Sequence, residues 1–480
     1  MKITLIFAPY QVNITNKDLT YRDEGIGKIP PLSLLQVAAI LEQMGVTVQI
    51  IDQENEGLSG KQVLERIRQF APDLLGFTLT TYSFHPVLEW IRLFKQETGL
   101  PILVGGAHVG LYPAETMTHS EIDYAIVGEA EIPLPQLISA LQEGRTPTGL
   151  ASVCYRDAAG HAIIDTTRQI VHDLDNLPYP ARHLIDNTIY SNILTRQHNF
   201  TAIMSTRGCP YRCTFCDQHR PKYRWRSAES FVAEVRYNLE KFNIREFDIY
   251  DSTFTANRRR VLEICRLLEQ ENLHVGFTVR STLMAVNIEM LDALKRAGCH
   301  TIMYGVETSN EDILKRMKKY IPRERILEMI RHTHSIGIQV LGFFMFGFPG
   351  ETTKTIRDTI QFSLDLPLDY AQYTVLWPFP DTEIYGYYRD NSNFGDYWAR
   401  YTLDPTCSMP IALVDTEVTR EEATNLVGEA YRRFYFRPRI FWRRLTSIRS
   451  TGELRRLWRG GMGIIKSTLR DLYGIEWGRA

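Results

Sequence analysis

No run of apolar residues in this chain approaches the ~20 needed to span a bilayer; the most apolar segment, Val340 to Pro349, is strand-sized. The opening MKITLIFAPY has one lysine and a short β-like run, with no long apolar core and no small-residue cleavage site, so no secretory signal is expected. The sequons at Asn13 and Asn199 carry little weight in that setting. Excess charge is also missing: 55 Lys and Arg against 56 Asp and Glu leave a net charge of −1, which implies no general pull toward nucleic acid. Cysteine is scarce, seven in 480 residues, which excludes a disulfide-framed scaffold. A cytoplasmic globular protein is the expectation, too long for one core and divided into two or three domains.

What is present is alternation. Ile3–Ala8, Val46–Ile51, Leu74–Leu79, Ile102–Val104 and Tyr124–Val127 read as short apolar strands. Between and after them, Pro31–Met44, Lys61–Phe70, Val87–Glu97 and Pro133–Leu141 have helical spacing. Strands separated by single helices predict an α/β fold, a doubly wound parallel sheet of the Rossmann or flavodoxin type over 1–145. Residues 146–198 break the rhythm with a hairpin (Ser152–Arg156 and His161–Thr166) and an extended linker through Leu174–Pro180. From Thr201 the alternation resumes for six rounds, with strands near 201–205, 245–250, 274–279, 300–305, 338–346 and 370–376. This predicts a partial (β/α)6 barrel over 199–380, whose chemistry sits at the strand C-terminal ends. A helical, basic region over 381–480 follows.

Four cysteines, Cys154, Cys265, Cys299 and Cys407, are scattered and read as small buried or semi-buried thiols. Cys209, Cys213 and Cys216 are grouped as Cys-x3-Cys-x2-Cys on the loop leaving the first barrel strand. Three thiolates on one short loop can hold three irons of a [4Fe–4S] cube and leave the fourth iron open. An open iron is what S-adenosylmethionine (SAM) needs, because its amino and carboxylate groups chelate there. A zinc site completed by His219 is the competing reading, disfavoured because zinc knuckles rarely leave a barrel strand.

Around these cysteines, Ala202 to Trp377 resembles the radical SAM superfamily. The resemblance implies SAM contacts at Phe215, the aromatic before the last cysteine, and at Asp251, Arg280, Glu307 and Glu351, each at a strand end. Glu307 lies in Gly305-Val306-Glu307-Thr308-Ser309, similar to the family's Gly-Ile-Glu-Ser, whereas the family's Gly-Gly-Glu is absent near Asp251.

The first domain carries Gly105-Gly106-Ala107-His108 and Gly128-Glu129-Ala130-Glu131 at two strand ends. Neither a Gly-x-Gly-x-x-Gly dinucleotide fingerprint nor a P-loop is present; Gly25-Ile26-Gly27-Lys28 lacks the upstream glycine and the following Ser or Thr. The domain resembles the cobalamin-binding domain that precedes the barrel in B12-dependent radical SAM enzymes of the class B methyltransferase type. That implies corrin and nucleotide-tail contacts at Thr78, Thr80, Gly105, Gly106, His108, Gly128 and Glu129. Asp-x-His-x-x-Gly is absent, so no imidazole of the protein is expected on cobalt, and His108 is read as a polar wall.

The resemblance implies three cofactors, a [4Fe–4S] cluster, SAM and cobalamin, and methylation of an unactivated carbon with two SAM per turnover. It also implies a flavodoxin- or ferredoxin-type reductant. Two alternatives stand beside methylation: redox chemistry or ring formation on a tetrapyrrole or lipid by the same architecture, and a cobalamin-binding sensor or carrier without catalysis. From Tyr431 to Arg470 the chain interleaves Arg and Lys with Phe434, Tyr435, Phe436, Trp442 and Trp458. Such a stretch suits peripheral contact with the inner face of a membrane, or equally a helical tail packing its aromatics on the barrel. A hydrophobic small molecule, lipid- or tetrapyrrole-like, is the favoured substrate class, and no nucleic-acid partner is expected.

Overall fold

The computed structural model describes residues 1–9, 27–197, 199–218, 222–407 and 412–437. Asn13, Gly25, His219 and the basic stretch after Arg437 lie outside the described residues. The chain forms two compact units.

The first unit takes residues 1–9, 29–190 and 394–407. Its sheet contains β1 (Lys2–Ile6), β2 (Thr47–Ile51), β3 (Leu74–Thr78), β4 (Ile102–Gly105) and β5 (Tyr124–Ile126), all parallel, in the order β2-β1-β3-β4-β5. Helices α1 (Leu32–Gln43), α2 (Gly60–Phe70), α3 (Phe84–Thr98) and α4 (Ala107–Leu111) lie in the crossovers, and α5 (Pro133–Gln142) follows the last parallel strand. One face of the sheet packs Val63, Ile67, Phe84, Leu88 and Phe94; the other packs Leu34, Leu35, Ala38, Leu134 and Leu137. Burial of both faces is why the strands read as continuous apolar runs.

The hairpin expected in the linker extends this sheet. Its strands, β6 (Val153–Arg156) and β7 (Ala162–Ile163), add antiparallel beside β5. The helix Tyr397–Leu403, which the sequence groups with the C-terminal region, packs in the first unit: Trp398 is buried and meets Tyr82 edge-on, centroids 5.4 Å apart.

The second unit holds six parallel strands in sequence order: β8 (Phe200–Ile203), β9 (Glu246–Ile249), β10 (Gly276–Ser281), β11 (Cys299–Glu307), β12 (Gln339–Phe346) and β13 (Tyr370–Val375). Helices α6 (Ala228–Phe242), α7 (Arg258–Gln270), α8 (Ile288–Arg296), α9 (Glu311–Arg316), α10 (Arg323–Ser335) and α11 (Thr353–Asp365) alternate with them. Ser227, Asn257, Asn287, Asn310 and Thr352 cap the starts of α6 to α9 and α11 through their side chains. Each cap contributes about 1 kcal/mol and fixes where a loop ends and a helix begins. β11 is buried along its whole length and is the axis of the sheet.

An open barrel leaves an edge at β13, and a helix closes it. From α12 (Arg420–Tyr435), the Tyr435 hydroxyl accepts from the Ala371 N–H (3.2 Å) and donates to the Ala371 carbonyl (2.9 Å). The Tyr431 hydroxyl makes the same pair of bonds with Tyr373, at 3.2 and 3.3 Å. The match is geometric: four residues of helix rise about 6 Å and two residues of strand about 6.6 Å. Phe434, fully buried beside them, completes the seal. These aromatics of the basic tail therefore belong to the barrel edge.

Replacing Tyr431 or Tyr435 by Phe leaves a buried strand N–H and carbonyl unpaired, and each change is expected to cost about 1–2 kcal/mol in denaturant unfolding. Unchanged midpoints would contradict this account of the edge.

Candidate active site

Immediately after β8, Thr206–Arg207 pairs antiparallel with Arg224–Trp225, and the cysteine loop lies between these two short strands. Cys209, Cys213 and Cys216 form no disulfide and are all half-buried. The loop has no regular secondary structure, so its backbone bonds go elsewhere. The Thr214 N–H donates to the Met317 carbonyl (3.1 Å), and the Thr214 carbonyl accepts from the Ile384 N–H (2.9 Å). Cys209 Sγ lies 3.5 Å from the Thr253 hydroxyl. Burial pushes the Cys216 thiol up to about 12 and raises that of Cys213, against which the Lys319 cation acts. Among the described residues no three Cys, His, Asp or Glu side chains converge on one metal-ion position, as a mononuclear site requires. A [4Fe–4S] cube asks something different, three thiols for three separate corners, and three half-buried thiols on one anchored loop fit it.

Asp251, at the end of β9, is fully buried with both oxygens engaged. It accepts from the N–H groups of Ser205 (2.7 Å) and Thr206 (2.9 Å), and from the Ser205 hydroxyl. As placed, Asp251 holds the entry to the cysteine loop, where the sequence suggested a SAM contact. Arg280 shows a similar difference. Its guanidinium is bidentate to Asp248 (2.8 and 3.1 Å) and stacks 4.1 Å above the Tyr250 ring, with a quarter of the side chain exposed. Burial opposes its charge, but the Asp248 carboxylate more than compensates and raises its pKa.

Glu307 ends β11 in a left-handed conformation (φ +67°), where the β11–β12 register breaks between Gly305 and Glu307. A non-glycine residue held there is costly and points to a site. Its Oε1 lies 2.5 Å from Lys319 Nζ, and both residues are buried. The ammonium sits 5.8 Å from the Phe215 ring centroid. Lys319 was not legible as a site residue: Met317-Lys318-Lys319-Tyr320 looks like a solvated turn after α9.

Glu351 is sealed. One oxygen accepts from the N–H groups of Gly347 (2.6 Å) and Phe348 (3.2 Å); the other has no partner, and burial pushes the carboxyl up to about 7. It shapes the turn after β12 and exposes no oxygen to a ligand. Phe215, within the cysteine loop, and Glu307, paired with Lys319 next to it, remain.

In the first unit, Thr78, Gly105, Gly106 and Gly128 collect at the C-terminal ends of β3, β4 and β5. Gly106 (φ +105°) passes so close to β3 that a Cβ would stand 2.8 Å from the Thr78 hydroxyl and 2.6 Å from the Leu79 carbonyl. Gly128 is exposed, with φ +85°. Thr80 spends its hydroxyl on Ser83 (2.8 Å), and Glu129 accepts from the Val171 N–H (3.0 Å).

His108 does not line this edge. It is fully buried, with Nδ1 3.3 Å from the Thr81 hydroxyl and Nε2 3.1 Å from that of Thr402. The Thr402 hydroxyl gives its proton to the Trp398 carbonyl (2.7 Å), so His108 donates from Nε2 and accepts at Nδ1. Burial, with His85 and His119 nearby, lowers its pKa to about 3. A neutral imidazole bonded at both nitrogens pins helix Tyr397–Leu403 to this unit.

The chain matches the family models of the radical SAM superfamily over residues 203–363 and of the B12 binding domain over residues 23–138. An uncharacterized methyltransferase of Pyrococcus horikoshii is 30% identical over 418 residues, covering 86% of this chain and 89% of the relative. An anaerobic magnesium-protoporphyrin IX monomethyl ester cyclase of Rubrivivax gelatinosus is 25% identical over 420 residues, covering 85% and 74%. The fold is similar to that of the radical S-adenosylmethionine methyltransferase TsrM from Kitasatospora setae, solved with cobalamin and a [4Fe–4S] cluster, with a TM-score of 0.61, 20% identity and coverage of 80% and 73%.

The buried imidazole has a consequence for acid stability. Below about pH 6.5 an unfolded histidine takes up a proton that folded His108 refuses until about pH 3, so stability is lost as pH falls through that window. His85, whose pKa burial also lowers, adds in the same direction. The unfolding midpoint of the first unit is expected to drop between pH 7 and pH 5, and His108→Gln to show a smaller drop. An equal drop would contradict the assignment.

Proposed function

From the premise that this chain belongs to the radical SAM superfamily, in its B12-binding branch, we propose that it methylates an unactivated carbon of a hydrophobic small molecule, with two SAM per turnover. The observation that carries the reading is the three-thiol loop at the end of the first barrel strand, in one chain with a cobalamin-type α/β unit. The [4Fe–4S] cluster, SAM and cobalamin supply radical generation and methyl donation when bound.

The protein's part is to bind, orient and exclude water. Cys209, Cys213 and Cys216 hold the cluster in this reading, with residues 199–380 as the catalytic barrel. Phe215 and Glu307 meet SAM, the first by its ring and the second by its carboxylate. Asp251 and Glu351 act one step back, by fixing the cysteine loop and the turn after β12. Arg280, held by Asp248, has its exposed quarter for the SAM carboxylate. Thr78, Gly105, Gly106 and Gly128 form the cobalamin edge, where a bare glycine backbone admits a large planar ligand. His108 is buried with both ring nitrogens bonded to threonine hydroxyls, so its imidazole would not be available to a bound corrin.

The substrate class rests on the apolar, lipid- or tetrapyrrole-like chemistry favoured from the sequence. Similarity to an enzyme named as a protoporphyrin ester cyclase supports the same class and also keeps ring formation as a second reading. Contact of the basic stretch after Arg437 with an anionic membrane face, and reduction by a flavodoxin- or ferredoxin-type donor, belong to this proposal. No helix among the described residues is long and apolar enough to cross a membrane.

Turnover under strict anaerobiosis with methyl-labelled SAM, cobalamin, a strong reductant and an organic-solvent extract of cells tests the reading. Methylation predicts S-adenosylhomocysteine and 5′-deoxyadenosine in equal yield, with label in the extract, and loss of the 5′-deoxyadenosine in Cys213→Ala. 5′-Deoxyadenosine without S-adenosylhomocysteine would overturn methylation in favour of ring formation or redox chemistry.

A further inference from the structure

Three local costs in the second unit converge on one ammonium group. Glu307 and Lys318 are both left-handed non-glycine residues, at φ +67° and +54°. A Cβ at Gly305 would stand 2.3 Å from Lys319 Nζ and 2.4 Å from Glu307 Oε1, so a side chain there would displace the tips of both. Each left-handed residue carries backbone strain, which persists where surrounding structure enforces it. The result is a buried ion pair, and pairs of this kind often add nothing to stability over an apolar pair of similar size. Fold stability alone does not explain it.

The position of the pair suggests its use. Lys319 Nζ lies 5.8 Å from the ring of Phe215, which directly precedes Cys216 in the loop. The two loops are tied together by the bond from the Thr214 N–H to the Met317 carbonyl, two residues before Lys319. Away from water, a single charge at this range acts strongly. The reduction potential of an iron–sulfur cluster depends on nearby charge and on solvent exposure.

We infer that Lys319 is a positioning residue for the metal centre, a fixed cation that raises the reduction potential of a cluster on Cys209, Cys213 and Cys216 and that Glu307 partly offsets. This rests on the reading of those cysteines as cluster ligands. One added electron is stabilised by the ammonium and destabilised by the carboxylate, so the two residues pull the midpoint in opposite directions.

The test is a redox titration of the reconstituted full-length protein without SAM, followed by the electron paramagnetic resonance signal of the reduced cluster. Iron content and absorbance confirm loading of each variant. Lys319→Met is expected to move the midpoint to more negative potential, Glu307→Gln to more positive potential, and Lys319→Arg to stay near wild type. If Lys319→Met binds no iron, the direction of the Glu307→Gln shift decides. Shifts of the same sign, or midpoints that ignore both substitutions while wild type carries a cluster, would overturn the inference. A wild-type protein that takes up no cluster would instead overturn the reading of the cysteines beneath it.

Discussion

A loop without secondary structure has to present three thiols in a fixed arrangement, and the buried carboxylate of Asp251 is the interaction on which that presentation depends. It gathers the N–H groups of Ser205 and Thr206 just ahead of the cysteines. On the far side, Thr214 is bonded through its N–H to Met317 and through its carbonyl to Ile384. The loop is therefore clamped from β9, from the turn after α9 and from the segment after β13. Six strands in sequence order bring those three anchors to one end of the barrel, which is why the partial barrel suits a site of this type.

The same logic of fixed backbone and buried polar groups runs through both units. In the second, the open edge at β13 is closed by two tyrosine hydroxyls that act as a short mock strand. In the first, a neutral histidine joins the helix Tyr397–Leu403 to the turn after β3 through two threonine hydroxyls. Each device satisfies buried donors and acceptors where the sheet alone cannot, as low-dielectric interiors require.

Much of this was legible in the sequence, for a physical reason. Parallel strands buried on both faces leave apolar runs, and amphipathic helices leave a 3.6-residue period, so the expected Tyr124–Val127 strand and Pro133–Leu141 helix lie within a residue of the observed Tyr124–Ile126 and Pro133–Gln142. The cysteine spacing and the glycine pairs were legible because they are local. What was missed is long-range. Nothing near Asp251 says that its partners are Ser205 and Thr206, and nothing near Arg280 says that Asp248 claims it on the neighbouring strand. Lys319 reads as a surface lysine until the fold buries it against Glu307. The return of residues 394–407 to the first unit leaves no local mark, and the hairpin strand Val153–Arg156 gives no hint that it would join β5.

The central claim is that one chain carries an iron–sulfur cluster and a corrin. The most direct measurement is the iron, cobalt and zinc content of full-length protein purified without oxygen after expression with cobalamin. The account predicts about four irons and one cobalt per chain, with little zinc. Iron without cobalt would contradict the role given to the first unit, and zinc in place of iron would contradict the account at its centre.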